Sequence, residues 1–229
     1  MTPGKLYIVP TPIGNMEDIT YKAIRILNEV DYILAEDTRQ TLKLLQHYHL
    51  NKSLKSYHQY NEHQINEKII TDIHNGLTIA LVSDAGTPGI SDAGYLIVRD
   101  CIQNKITVEC LPGATALIPA VVASGFPCDK FVFEGFLPHK KGRKKRMEEI
   151  AMQNITVILY ESPYRLLKTL EEFKQIIGNS KQVCICRELT KIHETIIRGT
   201  FEQVISHFKK NSPKGEIVII IGTKSHEVL

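Results

Sequence analysis

The segment best equipped to hold something polar is SDAGTPGISD, residues 83–92, which packs two Gly, a Pro, two Ser, a Thr and two Asp into ten positions. Glycine exposes backbone N–H groups, and short hydroxyls can close round a small ligand; a plain turn would need fewer such residues. The loop directly follows the apolar run Thr78-Ile79-Ala80-Leu81-Val82. Two other apolar runs also end in unusual loops, Val9-Pro10-Thr11-Pro12-Ile13-Gly14-Asn15 and Glu36-Asp37-Thr38-Arg39. In open parallel sheets, ligands collect at the carboxyl ends of strands, so these loops are the first candidates for a site.

Two further stretches carry charge in a usable pattern. Arg187-Glu188-Leu189-Thr190-Lys191, after the run 182–186, offers a carboxylate able to accept a proton beside cations able to hold a phosphate. A surface ion pair between Glu188 and Lys191 is the plainer alternative. Glu161 and Arg165, on either side of Pro163, are second candidates, for which capping or a helical ion pair serves equally well. Positive charge is crowded into His139-Lys140-Lys141-Gly142-Arg143-Lys144-Lys145-Arg146, then balanced by Glu148 and Glu149. Such a run is either a phosphate grip or a solvated loop and helix start.

Several chemistries are excluded. There is no G-x-x-x-x-G-K-[ST] and no G-x-G-x-x-G after a strand, which argues against an ATPase, a dehydrogenase and the common Rossmann methyltransferase. The 229 residues are 43% hydrophobic and 23% charged, with a net charge of +3, which is globular composition and too slight a charge to announce a nucleic-acid binder alone. The longest apolar runs fall far short of the roughly 20 residues that span a bilayer, and no charged-then-apolar leader is visible, so a cytoplasmic protein is expected. Five cysteines, odd in number and without zinc-knuckle spacing, read as free thiols; Cys184 and Cys186 share one face of a strand. No metal site is expected.

The elements that must position these groups follow from periodicity. Strands are expected near 6–9, 32–35, 78–82 and 106–110, with helices over 19–29, 41–50 and 66–75 between them, a pattern that argues for a parallel α/β sheet. A small-residue helix over 114–124 ends at Gly125-Phe126-Pro127. The second half offers strands at 130–134, 156–160, 182–186, 194–198 and 216–221, and helices at 163–177 and 200–209, the first with Ser162 as N-cap and Pro163 at the first helical position. Two α/β domains, 1–115 and 116–229, are the expected organisation.

In order along the chain, LYIVPTPIGNMEDIT, AEDTRQTLKLL, SYHQYNEH, LVSDAGTPGISDAG, CLPGATALIPAVVASGF, FEGFLPHKKGRKKR, ILYESPYR, CRELTKIHE and GEIVIIIG resemble the small-subunit ribosomal RNA methyltransferase I family, a branch of the tetrapyrrole methylases. The resemblance covers essentially the whole chain. It implies the two-domain class III methyltransferase fold with S-adenosylmethionine in the interdomain cleft, a homodimer, and 2'-O-methylation of a cytidine in the decoding region of 16S rRNA within the small ribosomal subunit.

Carried over position by position, the resemblance places Pro10, Asp84, Gly86, Thr87, Thr115, Ala116, Tyr160 and Leu189 round the cofactor. A carboxylate at Asp84 suits the methionyl ammonium or the sulfonium, although an Asx turn would occupy it equally well. Glu188 then becomes the candidate base for the ribose hydroxyl, with Lys191 beside it. Lys140, Lys141, Arg143, Lys144, Lys145 and Arg146, helped by Arg39, become the RNA grip. Tyr57, His58 and Tyr60 could stack on an unpaired base or form a partly buried amphipathic patch. Thr11-Pro12-Ile13-Gly14-Asn15 replaces the G-x-G-P-G of many tetrapyrrole methylases, and Ser83-Asp84-Ala85 their Gly-Asp-Pro. With the basic run, these departures speak against the alternative of a precorrin-like C-methyltransferase. A non-catalytic RNA-binding assembly factor is the other alternative, and it would bind no cofactor.

Overall fold

The computed structural model describes residues 4–178 and 180–224. The chain divides after Thr115 into two compact units.

The first unit runs β1 (Lys5–Ile8), a 3-10 turn (Met16–Asp18), α1 (Tyr21–Glu29), β2 (Tyr32–Ala35), α2 (Thr38–His47), β3 (Leu54–Ser56), α3 (Glu62–His74), β4 (Ile79–Val82), α4 (Tyr95–Gln103) and β5 (Thr107–Cys110). Its strands form one parallel sheet in the order β3-β2-β4-β1-β5. β2 and β4 are buried at every position, as a parallel sheet covered on both faces demands. Alternation splits their side chains. Leu6, Ile8, Leu34, Ile79 and Leu81 pack with Ile69 and Ile73 of α3 and Ile97 of α4. Tyr7, Ile33, Ala80 and Val82 pack with Ile26 and Leu27 of α1 and Leu44 and Leu45 of α2. Parallel pairing puts every strand's carboxyl end on one edge, which is where the unusual loops emerge.

The second unit runs α5 (Leu117–Ser124), β6 (Phe131–Phe136), α6 (Arg143–Met152), β7 (Thr156–Glu161), α7 (Leu166–Ile177), β8 (Lys181–Arg187), β9 (Thr195–Thr200), α8 (Phe201–Lys210) and β10 (Ile217–Lys224). Its sheet is mixed, ordered β6-β7-β10-β8-β9, with β6 and β7 parallel and the remaining pairs antiparallel. One face packs Val157, Leu159, Val183, Ile185, Ile219 and Ile221 against Met147, Leu170, Phe173 and Phe208 of the helices. The other carries Cys184 and Cys186, whose Sγ atoms lie 3.9 Å apart, the second donating weakly to the Ala120 carbonyl of α5. Cys101 is also buried, whereas Cys110 and Cys128 are exposed.

Four points differ from expectation. β3, α4 and α6 are additional elements, and the helix expected from Pro163 begins only at Leu166, after a turn in which the Ser162 carbonyl accepts from the N–H groups of Arg165 and Leu166. α4 hides behind a glycine-rich approach, since its N-cap is Gly94. α6 hides because its opening Arg-Lys-Lys-Arg masks a helix that buries Arg143, Met147 and Ile150.

Candidate functional site

At the carboxyl edge of the first sheet the loops are tied to one another. Thr11 and Gly86 exchange backbone hydrogen bonds, each 2.9 Å, and Thr11 Oγ1 donates to the Ser83 carbonyl at 3.0 Å. Thr87 Oγ1 donates to the Ala114 carbonyl at 3.0 Å, joining the loop after β4 to that after β5. Gly113 lies against Pro10 so closely that a Cβ would stand 2.6 Å from the proline Cβ; only glycine allows this approach. Asp84 Oδ1 accepts from the Asp37 N–H at 3.0 Å, bringing in the loop after β2. Pro10, Asp84, Gly86, Thr87 and Thr115 thus come together on one edge. The Asp84 carboxylate bridges between loops, so an Asx turn within its own loop does not describe it.

That edge is acidic. Burial and the neighbouring carboxylates of Glu36 and Asp84 push Asp92 up to about 7. Burial also raises Asp84 and Glu36, each with a contribution from a nearby acid, Asp37 for the former and Asp84 for the latter. In the sequence, Asp92 and Glu36 stand out only as members of their loops. Their signal was the pattern of carboxylates after two adjacent strands. Such crowding is relieved by a cation, and the donor set fits a ligand bearing an ammonium and a sulfonium.

In the second unit Ala116 is the N-cap of α5. Tyr160 on β7 meets Phe133 and Phe136 edge to face, with ring centroids 4.9 and 5.7 Å away. Leu189 is buried between Glu188 and Thr190, two non-glycine residues with φ of +54° and +64°. Left-handed backbone at a β-branched residue is a real outlier, costing about 1–3 kcal/mol, and such strain collects at functional loops. Glu188 Oε1 accepts from Lys191 Nζ at 2.9 Å and from the Glu216 N–H at 2.8 Å. Burial lifts the Glu188 carboxyl, but the Glu216 N–H and Lys191 outweigh it and hold it below the usual range. The ion pair named as the plainer alternative is therefore present. Glu161 is buried, with Oε1 on Arg165 and the Ser162 N–H and Oε2 on Thr169 Oγ1, so its acceptor capacity goes to the turn before α7.

The basic run separates into two classes. Arg143 is a correction: it is buried, with Nε on Glu172 at 2.9 Å, NH2 on Thr169 Oγ1 at 2.7 Å and NH1 towards the Pro138 carbonyl, so it braces α6 against α7 and offers no phosphate grip. Arg146 is likewise engaged, bridging Glu134 and Glu149. Lys140, Lys141, Lys144 and Lys145 are exposed. Lys140 and Lys144, with His139 and Lys168 of α7, border a groove of about 490 Å³ between α6 and α7. Lys168 lies outside the basic run and reaches that groove from a different helix. Arg39 is held by its own Asp37 at 2.6 and 3.0 Å, and through that contact Asp37 is pulled down to about 2. Tyr57 is fully buried and unavailable for stacking, while Tyr60 is exposed; the amphipathic alternative describes Tyr57. Among the described residues no group of three His, Cys, Asp or Glu side chains is placed to hold a metal ion, and no helix is long and apolar enough to cross a membrane.

Comparison with known proteins agrees with this architecture. The family model for Tetrapyrrole (Corrin/Porphyrin) Methylases matches residues 5–205. The Ribosomal RNA small subunit methyltransferase I of Thermotoga maritima is 47% identical over 221 residues, covering 96% of this chain and 99% of its own. The protein of that name from Escherichia coli O157:H7 is 47% identical over 228 residues, covering 98% of this chain and 80% of its own. Among solved structures, cobalt precorrin-4 methyltransferase superposes with a TM-score of 0.71 at 18% identity, covering 95% and 94% of the two chains. Uroporphyrin-III C-methyl transferase from Thermus thermophilus, complexed with S-adenyl homocysteine, gives 0.67 at 20% identity, covering 96% and 97%. At that identity the solved structures speak for the fold. With close to half of its residues shared end to end with the relatives, this chain belongs to the tetrapyrrole methylases, in the branch whose members are named ribosomal RNA small subunit methyltransferase I.

Proposed function

We propose that this protein transfers the methyl group of S-adenosylmethionine to small-subunit ribosomal RNA, at the 2'-hydroxyl of a cytidine in the decoding region of the 16S molecule. The observation that carries the reading is the carboxyl edge of the first sheet, where Thr11–Gly86, Thr87–Ala114 and Asp37–Asp84 contacts tie the loops into a polar, acidic cradle. Bound there, the cofactor supplies a methyl carbon on a positively charged sulfur, open to in-line displacement.

The protein's share is positioning. Holding a ribose oxygen in line with the methyl carbon accounts for several kcal/mol of the barrier. Pro10, Gly86, Thr87 and Thr115 present backbone and small side chains to the cofactor, and Asp84 and Asp92 balance its charge. Ala116, Tyr160 and Leu189 are assigned to the same ligand. Glu188 receives the hydroxyl proton, with Lys191 fixing its carboxylate. Because Glu188 is already a weak base, its share falls at the low end of general-base effects, about a hundredfold. Lys140, Lys141, Lys144 and Lys145 meet the RNA backbone, and Lys168 extends that face. The enzyme works as a homodimer in the cytoplasm, on the small subunit.

Tritiated methyl transfer from S-adenosylmethionine to 30S subunits lacking the modification, followed by nuclease mapping, tests the assignment. Label on a single ribose is expected. Label spread over bases, or none despite cofactor binding, would sink it.

A further inference from the structure

β6 is an outer strand of the second sheet, and its ladder with β7 is broken: Phe133 pairs with Ile158 and Gly135 with Leu159, leaving Glu134 as the extra residue of a β-bulge. Gly135 has φ +63°, a left-handed backbone that glycine adopts without penalty. Bulges at sheet edges re-aim the side chains they carry. Here the Glu134 side chain is only 5% exposed, with Oε2 accepting from both Nε and NH2 of Arg146. Its other oxygen, Oε1, is buried without a hydrogen-bond partner. A buried carboxylate oxygen left without a donor is costly, and each such atom in a native fold calls for an explanation.

Glu134 lines a groove of about 430 Å³ with Pro138, Gly142, Lys145, Arg146 and Glu149, large enough for a nucleotide. The groove flanks α6, whose first turn holds no acidic residue and whose N-cap makes no side-chain hydrogen bond. Cations at the positive end of a helix repel it unless an anion is near, so a phosphate is the natural neighbour of Lys145.

We infer that this groove takes one unpaired RNA base bearing an exocyclic amino group, a cytosine or an adenine, whose N–H donates to Glu134 Oε1. The inference rests on the RNA reading above. A carboxylate can only accept, so it selects an amino edge and repels the carbonyl edge of uracil. Guanine would present two donors to both carboxylate oxygens, and Arg146 already holds one of them. Arg146 spans the groove from Glu134 to Glu149 with its side chain 44% exposed, and it admits the base by giving up Glu149 while keeping Glu134, on the fast timescale of exposed rotamers.

The test is fluorescence anisotropy of the full chain with labelled single-stranded oligocytidine and oligouridine at low salt. The wild type should favour oligocytidine roughly tenfold, as one hydrogen bond gained against one repulsion predicts. Glu134→Gln, which turns an amide donor into the groove, should abolish or reverse that preference at an unchanged melting temperature. Lys145→Glu should weaken both oligomers equally. Equal wild-type affinities, or a preference that survives in E134Q, overturn the inference while leaving RNA binding intact. Failure of the wild type to bind either oligomer overturns the RNA reading itself.

Discussion

Asp92 and Glu188 show how the same residue type is set to opposite ends of its range. Asp92 holds its proton more firmly in the folded chain than in the unfolded one, because burial and the Glu36 and Asp84 charges oppose ionisation. The favourable linkage is thus complete below the ordinary carboxylate range and is lost as pH rises through about 7. Asp92→Asn should remove that loss, so the difference in melting temperature between variant and wild type should grow in the variant's favour from pH 5 to pH 8. Cofactor binding carries the complementary signature. A bound cation favours the ionised acid, so affinity should strengthen as pH rises through about 7, and calorimetry near pH 6 in two buffers should register proton release that the D92N protein lacks. Heats independent of the buffer would remove Asp92 from the cofactor site. Glu188 stands on the other side, ionised and fixed by Lys191 and the Glu216 N–H. Glu188→Gln should lower kcat about a hundredfold, with KM for RNA little changed. A loss well under tenfold would remove Glu188 from the proton transfer.

The helix α6 separates charge that braces from charge that reaches outward. Arg143 is buried but its partner Glu172 is one-third exposed, so Arg143→Ala should lower stability by about 1–3 kcal/mol, read as a fall in the denaturation midpoint. Reversing the exposed Lys140 and Lys144 to Glu should leave stability within about 0.5 kcal/mol and should flatten the salt dependence of binding to 30S subunits. A salt slope that stays unaltered would return that face to the solvent. Sequence spacing could not make this division, since Arg143 and Lys144 are adjacent and equally charged. What distinguishes them is that α6 packs on α7, which brings Glu172 and Thr169 to one and leaves the other outside. Pattern was legible where an element is apolar throughout, as in β2 and β4, or on one face, as in α7 and α8. It failed at α6, whose buried positions include an arginine, and at β3, a three-residue edge strand with little to bury.

Each half of the chain has its own core. The first sheet is covered on both faces by its own four helices, and the second unit carries a separate apolar cluster under α6, α7 and α8. Residues 1–115 produced alone should therefore unfold cooperatively in denaturant, as a domain with its own core does. A chain that shows helical content but no cooperative transition would mean that the first unit depends on the second for its packing. Strand and helix rhythm pointed to most elements of both sheets, and composition together with family likeness pointed to the candidate loops. The acidic partners Glu36 and Asp92 were not legible there, because their importance lies in the order of strands: β2 and β4 are neighbours in the sheet and far apart in the sequence.

The distribution of thiols gives the molecule native attachment points. Three cysteines are sealed in packed interiors, and the two that are exposed fall one to each unit, Cys110 in the first and Cys128 in the second. Partial burial pushes the Cys110 thiol up, so its reaction with a maleimide dye should be slow. The chain has no tryptophan to add its own emission. Sequential labelling would therefore place a donor and an acceptor on the two halves without a single substitution, letting single-molecule energy transfer follow each round of cofactor and subunit engagement in the unaltered protein.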